Sequence, residues 1–274
     1  MKPKLQRFAA QPLLFSCPLC QQPLALNDNQ LCCSHHHSFD LARFGYVNLA
    51  LKQAHSDGYD KKSFTQRQFI LEAGFYDHIL DTIVQLMKQY QPQTILDVAC
   101  GEGFYSRQLE NGYDGDFYAF DLSKESIQLA SKHDQRWKIK WFVADLAHIP
   151  LQNHSMDMIL DIFSPANYSE FHRLLADGGY VIKVIPNQYH LHELRQYLSK
   201  EKQVYSNQNI VDVFKEHLEV VEKLTVHQTR SLNEEERQAL VEMTPLLFNE
   251  EKHRSFEGLT EITIGADTLI GRKK

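Results

Sequence analysis

No stretch of this 274-residue chain approaches eighteen consecutive apolar residues, which excludes a helix able to span a bilayer. The first eleven residues hold Lys2, Lys4 and Arg7 with no apolar run behind them, so no signal peptide is expected. Excess basic charge is also missing: the net charge is −6, which argues mildly against a polyanionic partner. Glycine (12) and proline (9) are sparse and 43% of the residues are hydrophobic, so the chain can bury a full core and is too large for one small module. Cysteine is scarce and odd in number, at five, which does not suit a disulfide framework. A cytoplasmic protein with reduced thiols is the expectation.

What is present begins with those cysteines. Cys17, Cys20, Cys33 and His37 form a C-x2-C-x12-C-x3-H array. Three thiolates and an imidazole at these spacings can close a tetrahedral Zn2+ site, and such a site folds about thirty residues too poor in apolar material to fold alone. Cys32 adjoins Cys33, and His35 and His36 precede His37; the Cys33–His37 spacing reaches back across one turn, so that pair is preferred. Residues 1–62 carry a charge of +3 against −9 for the remainder, a hint of where a polyanion would land.

From Thr94 onward the pattern alternates strand and helix. The apolar run Thr94–Cys100 reads as a buried parallel strand that Asp97 ends, Gly101 and Gly103 make the turn, and Phe104–Glu110 reads as a helix. Phe117–Asp121 is a second strand finishing on an acid. Ile139–Ala144, followed by Asp145, is a third, and Met156–Asp161 a fourth. A helix at 168–175, closed by Asp177-Gly-Gly179, leads into a fifth strand at 180–185. Segments 218–229 and 261–271 are expected to pair as a terminal hairpin around a helix at 234–243. The helical stretch 64–90 is expected to break at Gly74.

The turn lacks the third glycine of a dinucleotide fingerprint, and Phe104 stands where close packing would want a small residue. Asp97, Asp121 and Asp145 instead suit a ligand with an amino acid, a ribose diol and an adenine but no phosphate, which is S-adenosylmethionine. The fold class expected is α/β: a class I Rossmann-like methyltransferase, with a doubly wound, mostly parallel seven-stranded sheet and a small N-terminal zinc-binding module. The domain reading is 1–50 zinc-binding RNA-recognition module, 51–62 linker and 63–274 methyltransferase.

Segments 15–20, 33–40, 44–49, 71–76 and 97–103 together resemble the RlmA family of 23S ribosomal RNA guanine-N1 methyltransferases, and the similarity covers nearly the whole chain. Segments 1–7, 161–167 and 243–248 lean toward its Gram-positive RlmA-II branch, associated with tylosin resistance. That branch modifies a guanine in a domain II stem-loop beside the peptide exit tunnel. The resemblance implies zinc ligation by Cys17, Cys20, Cys33 and His37, and cofactor contacts at Tyr76, Gly101, Glu102 and His190. Asp97, Gly103, Asp121 and Asp145 join the cofactor set on physical grounds.

Guanine N1 lies on the Watson–Crick edge, so the base must be extruded or unstacked, and its proton must be removed. Asp161, ending the fourth strand, is the candidate acceptor, although it can instead pair with a lysine or close the strand. Phe163 and Tyr168 are candidate stacking surfaces, and Arg7, Arg43 and Lys52 candidate phosphate contacts. Assembly into a homodimer is a further expectation. A small-molecule methyltransferase and a non-catalytic RNA-binding scaffold are the alternatives; the zinc module argues against the first, and methyl transfer to RNA separates out the second.

Overall fold

The computed structural model describes residues 3–9, 12–51, 61–244, 247 and 255–274. Lys52, most of the expected 51–62 linker and part of segment 243–248 lie outside them. The chain opens with α1 (Pro3–Gln6) and a three-stranded antiparallel meander, β1 (Ala25–Asn27), β2 (Gln30–Cys32) and β3 (Ser38–Asp40), followed by β4 (Tyr46–Asn48). Two helices follow, α2 (Lys61–Glu72) and α3 (Asp77–Tyr90). They are divided where the sequence suggests: Gly74 takes φ +83°, and a side chain there would strike the Asp77 carboxylate. Along α3, Ile79, Ile83, Leu86 and Met87 repeat at helical spacing and are all buried.

The alternating region supplies β5 (Thr94–Val98), α4 (Phe104–Gly112), β6 (Asp116–Asp121), α5 (Lys124–His133), β7 (Lys140–Val143), β8 (Met156–Ile162), α6 (Tyr168–Leu174) and β9 (Leu175–Pro186). Ser123 caps α5 by accepting from Ser126 N–H, and Asn167 caps α6 by accepting from Glu170 N–H. One boundary differs from expectation. The Asp177-Gly-Gly179 segment does not precede the fifth strand but lies inside β9, which begins at Leu175 opposite Met156, with an irregularity in the pairing before Met158. After α7 (His192–Arg195), α8 (Lys200–Gln203) and α9 (Gln208–His217), β10 (Leu218–Ser231) and β11 (Glu261–Lys273) form the terminal hairpin. Between them lies α10 (Glu234–Met243), closed by an Asn233/Glu236 capping box.

The main sheet runs β10-β11-β9-β8-β5-β6-β7-β4, with β11 antiparallel to both neighbours and the other pairings parallel except β10–β11. The seven strands from β5 onward are those the sequence suggested. The eighth, β4, comes from the N-terminal region: Tyr46, Val47 and Asn48 pair with Trp141, Phe142 and Val143.

Each face of the sheet carries its own core. Tyr76, Ile79, Ile83, Phe104, Leu109, Ile127 and Trp141 pack on one face. On the other, α6 and α9 share the surface with the metal module: Phe15 meets Tyr118 and Phe142 edge-on, at 5.2 Å between ring centres in each case. Burying a ring of that size is worth about 2–3 kcal/mol. The strip is held further by Ser16 N–H to Pro150 O (2.9 Å), Gln152 N–H to Leu14 O (2.8 Å) and Leu14 N–H to the Tyr118 hydroxyl (3.0 Å). Among the described residues no helix is long and apolar enough to cross a membrane.

Candidate active site and metal centre

In the N-terminal module, Cys17 and Cys20 sit in a loop tied by Cys17 N–H to Gln22 O and Gln21 N–H to Cys17 O, both 2.8 Å. Cys33 and His37 flank the β2–β3 turn, closed by Cys33 N–H to His37 O at 3.1 Å. One ligand atom from each of the four lies within 4.8 Å of all the others. Cys20 and Cys33 sulfurs are 3.7 Å apart, and both Cys17 and Cys33 sulfurs lie 3.5 Å from His37 Nδ1. A sulfur pair at that distance is no disulfide, whose bond is about 2.05 Å. It does match the ~3.8 Å edge of a tetrahedron built on Zn–S bonds of ~2.3 Å. Cys32 points elsewhere, toward Gln30, so the preferred membership is the one the geometry gathers.

The second site lies at the carboxyl ends of β5 and β6, beside β8, where the strand order reverses and α/β sheets bind ligands. Ala99, Gly101 and Gly103 all take positive φ, and a side chain on Gly103 would run into the Trp141 ring. Asp121 braces the turn: Oδ2 accepts from Gly101 N–H (3.0 Å) and Oδ1 from Ser123 N–H (2.8 Å). Asp97 is buried beneath the turn and accepts from the Ser106 hydroxyl; burial lifts its carboxyl to about 7 despite that bond. Burial likewise raises Glu102, opposed by the nearby Arg67.

Across from the turn, Tyr76, Phe163 and His190 form an aromatic wall with ring centres 5.6–6.4 Å apart. Phe163 holds φ +54°, an uncommon conformation for a bulky residue. Burial, reinforced by Arg195, drives His190 down to about 3, so its ring is neutral. Burial drives the Tyr76 hydroxyl up to about 12. Three buried polar atoms here, Glu102 Oε2, Tyr105 Oη and His190 Nδ1, make no hydrogen bond with any described residue. A ligand rich in polar groups fits such a rim, since buried polar atoms are rarely left unsatisfied.

The remaining candidate residues divide. Asp145 is exposed at the end of β7, caps its own turn by accepting from Ala147 N–H (2.9 Å), and borders an open depression of about 540 Å³ shared with Asn167 and Tyr168. Asp161 is fully buried, its Oδ2 2.7 Å from Lys183 Nζ and its Oδ1 accepting from the Ser164 hydroxyl at 2.6 Å. Lys183 also donates to Ser164 O (3.0 Å), a link that sequence reading could not place.

Two expectations are corrected. Tyr168 does not offer a stacking face to a base: it lies flat on His217 (4.6 Å, 12°) and packs against Phe171 and Phe214. Arg7 is no phosphate contact. It is buried, ion-paired with Asp134 at 2.9 Å, donates to Ile139 O and Ser131 O, and lies over Trp137. Arg43 remains exposed, its guanidinium 5.6 Å from the Phe44 ring centre.

Comparison with known proteins bears on both sites. A zinc-ribbon family model, described as RlmA, N-terminal, matches residues 15–54, and a methyltransferase-domain model matches residues 95–179. A Bacillus subtilis (strain 168) protein that carries the provisional name 23S rRNA (guanine-N(1)-)-methyltransferase YxjB is 35% identical over 95% of this chain and 97% of its own length. The chain belongs to the RlmA family of 23S rRNA guanine-N1 methyltransferases.

This RlmA-family enzyme therefore carries a zinc ribbon and a methyltransferase fold of the S-adenosylmethionine-dependent kind. A Streptomyces fradiae relative, named 23S rRNA (guanine(748)-N(1))-methyltransferase, is 26% identical over 93% of this chain and 95% of its own length. Among solved structures, a Bacillus halodurans C-125 protein provisionally named a methyltransferase aligns at TM-score 0.50 and 16% identity, covering 71% of this chain and 98% of its own. That likeness concerns the fold alone.

Proposed function

We propose that this enzyme acts in the cytoplasm and methylates N1 of a guanine in a domain II stem-loop of 23S ribosomal RNA, close to the peptide exit tunnel. The observation that carries the reading is the union of a Cys3His ribbon and a glycine-turn cleft on one continuous sheet. Chemistry on a small metabolite gives the ribbon no task. The Streptomyces fradiae relative's name, which specifies a guanine N1, supports the position of attack.

Bound at the turn, S-adenosylmethionine would supply a methyl group on a positively charged sulfur. Gly101 lets the donor approach the main chain of the turn closely, Gly103 lets the turn pack on Trp141, Asp121 takes the ribose diol, and Asp97 and Glu102 favour the donor's positive charge. Asp145, exposed just past the end of β7, which pairs with β6, is the acid assigned to the adenine in this reading. Tyr76 and His190 flank the donor, and Phe163 presents a partly exposed ring to an extruded purine. Asp161 is a positioning residue in this reading. Its carboxylate, locked between Lys183 and Ser164, holds the loop that carries Phe163, so proton acceptance falls to another group. The ribbon, with exposed Arg43, grips the stem-loop backbone.

The test is transfer of label from radiolabelled donor to unmodified total RNA, followed by mass mapping of the modified nucleotide in ribosomal RNA from cells with and without the gene. Label in RNA on guanine N1 is the expected result. Donor binding with no label in RNA would point to a scaffold, and label confined to small molecules would point to a metabolite enzyme.

A further inference from the structure

Helix α2 delivers the side chain of Arg67 to the glycine turn. A carbon built on Gly101 would lie 3.3 Å from an Arg67 Nη atom, so the guanidinium covers the open face of that glycine. Arg67 Nε stands 3.7 Å from Glu102, longer than the ~2.7–2.9 Å of a charge-assisted hydrogen bond. The cation sits in the field of Glu102, and its side chain is 26% exposed. Its charge also works against the burial that raises Tyr76, Asp97 and Tyr105.

The methyl donor's amino-acid end carries an ammonium and a carboxylate. Asp97, Glu102 and Asp121 line the turn and would attract the ammonium and the diol, but each repels the carboxylate. A carboxylate placed over Gly101 needs a cation on that side, and the planar fork of an arginine matches it in two hydrogen bonds. We propose that Arg67 binds the α-carboxylate of the methyl donor, with Glu102 Oε2 taking the adjacent ammonium. This rests on the cofactor reading above and adds a residue from outside the methyltransferase sheet. Anchored at that end, the donor's sulfur is fixed along the turn and its methyl held toward Phe163.

Calorimetric titration of the full chain with two ligands tests it: S-adenosylhomocysteine, and methylthioadenosine, which keeps the adenosine and thioether but lacks the amino acid. Arg67→Ala is expected to weaken S-adenosylhomocysteine by roughly 10- to 100-fold and to leave methylthioadenosine within about twofold. Arg67→Lys, which keeps the charge but not the fork, is expected to fall between. Equal losses for both ligands, or none for S-adenosylhomocysteine, would overturn the assignment. If wild-type protein binds neither ligand, the cofactor reading itself fails. Should the alanine variant melt early, the ratio of the two affinities in the lysine variant decides.

Discussion

Arg7 and Asp134, 127 positions apart, form an ion pair in which neither side chain is more than 3% exposed. Burial holds the guanidinium down at about 10 against the pull of Asp134, and Trp141 Nε1 donates to the same carboxylate at 3.0 Å. Breaking such a pair leaves a buried charge alone, a loss of about 3–5 kcal/mol. Arg7→Met is therefore expected to lower the melting temperature markedly. At temperatures where it stays folded, the salt dependence of RNA binding should be unchanged; a shallower salt slope would return Arg7 to the phosphates.

The ribbon should matter to the enzyme's stability as well as to RNA binding. Phe15 lies between Tyr118 and Phe142, so loss of the metal loosens packing on the main sheet. Cys20→Ser, or treatment with a strong chelator, is expected to release zinc and destabilise the whole molecule. The check is a calorimetric scan alongside a zinc assay: an unchanged main transition after stoichiometric zinc loss would show that the two parts unfold independently.

Asp161→Asn separates positioning from proton transfer. If the carboxylate holds the Ser164 loop, turnover should drop at every pH by a similar factor, with S-adenosylhomocysteine affinity kept. If it accepts the N1 proton, the acidic limb of the pH–rate profile should disappear instead. Lys183→Met alone should resemble Asp161→Asn in its flat loss, since Lys183 contacts both Asp161 and Ser164.

Asp97 gives a pH dependence with a definite sign. Its folded value, about 7, lies above that of an unfolded aspartate, about 3.9. The unfolded chain therefore releases this proton first, and the contribution to stability falls as pH rises from about 4 to 7, then levels off. Asp97→Asn should remove that slope from the melting temperature measured across this range. A cationic donor favours the ionised carboxyl, so donor affinity should rise over the upper part of the same interval, with proton release on binding.

Phe163 and Tyr168 offer a paired comparison. Tyr168→Leu disrupts packing with Phe171, Phe214 and His217 and is expected to cost about 2–4 kcal/mol of stability. Phe163→Leu, at a partly exposed ring, is expected to change stability less but to reduce RNA methylation strongly. Comparable methylation losses in well-folded samples of both variants would remove Phe163 from base recognition.

The strands around Asp97, Asp121 and Asp161 were readable because buried parallel strands are short apolar runs with polar ends, and the ligand turn follows them directly. The four zinc ligands were readable because two pairs lie close in sequence. What escaped depends on distant partners. Arg7 reads as a surface cation until residues 131–139 surround it, and Tyr168, at the start of a helix, reads as a candidate stacking face until His217 stacks upon it. Arg67 sits on a helix with weak apolar periodicity, and Gly101, its neighbour in space, is far along the chain. A lone lysine within the apolar Val181–Ile185 run was the available signal for the Asp161–Lys183 pair.

Because Tyr46, Val47 and Asn48 continue the sheet beyond Trp141, Phe142 and Val143, the metal-bearing lobe cannot pivot against the transfer cleft without breaking main-chain hydrogen bonds. The protein therefore behaves as a fixed gauge, with a set span from the zinc ligands to the glycine turn. On the function proposed above, any bending needed to bring a guanine into reach would come from the RNA.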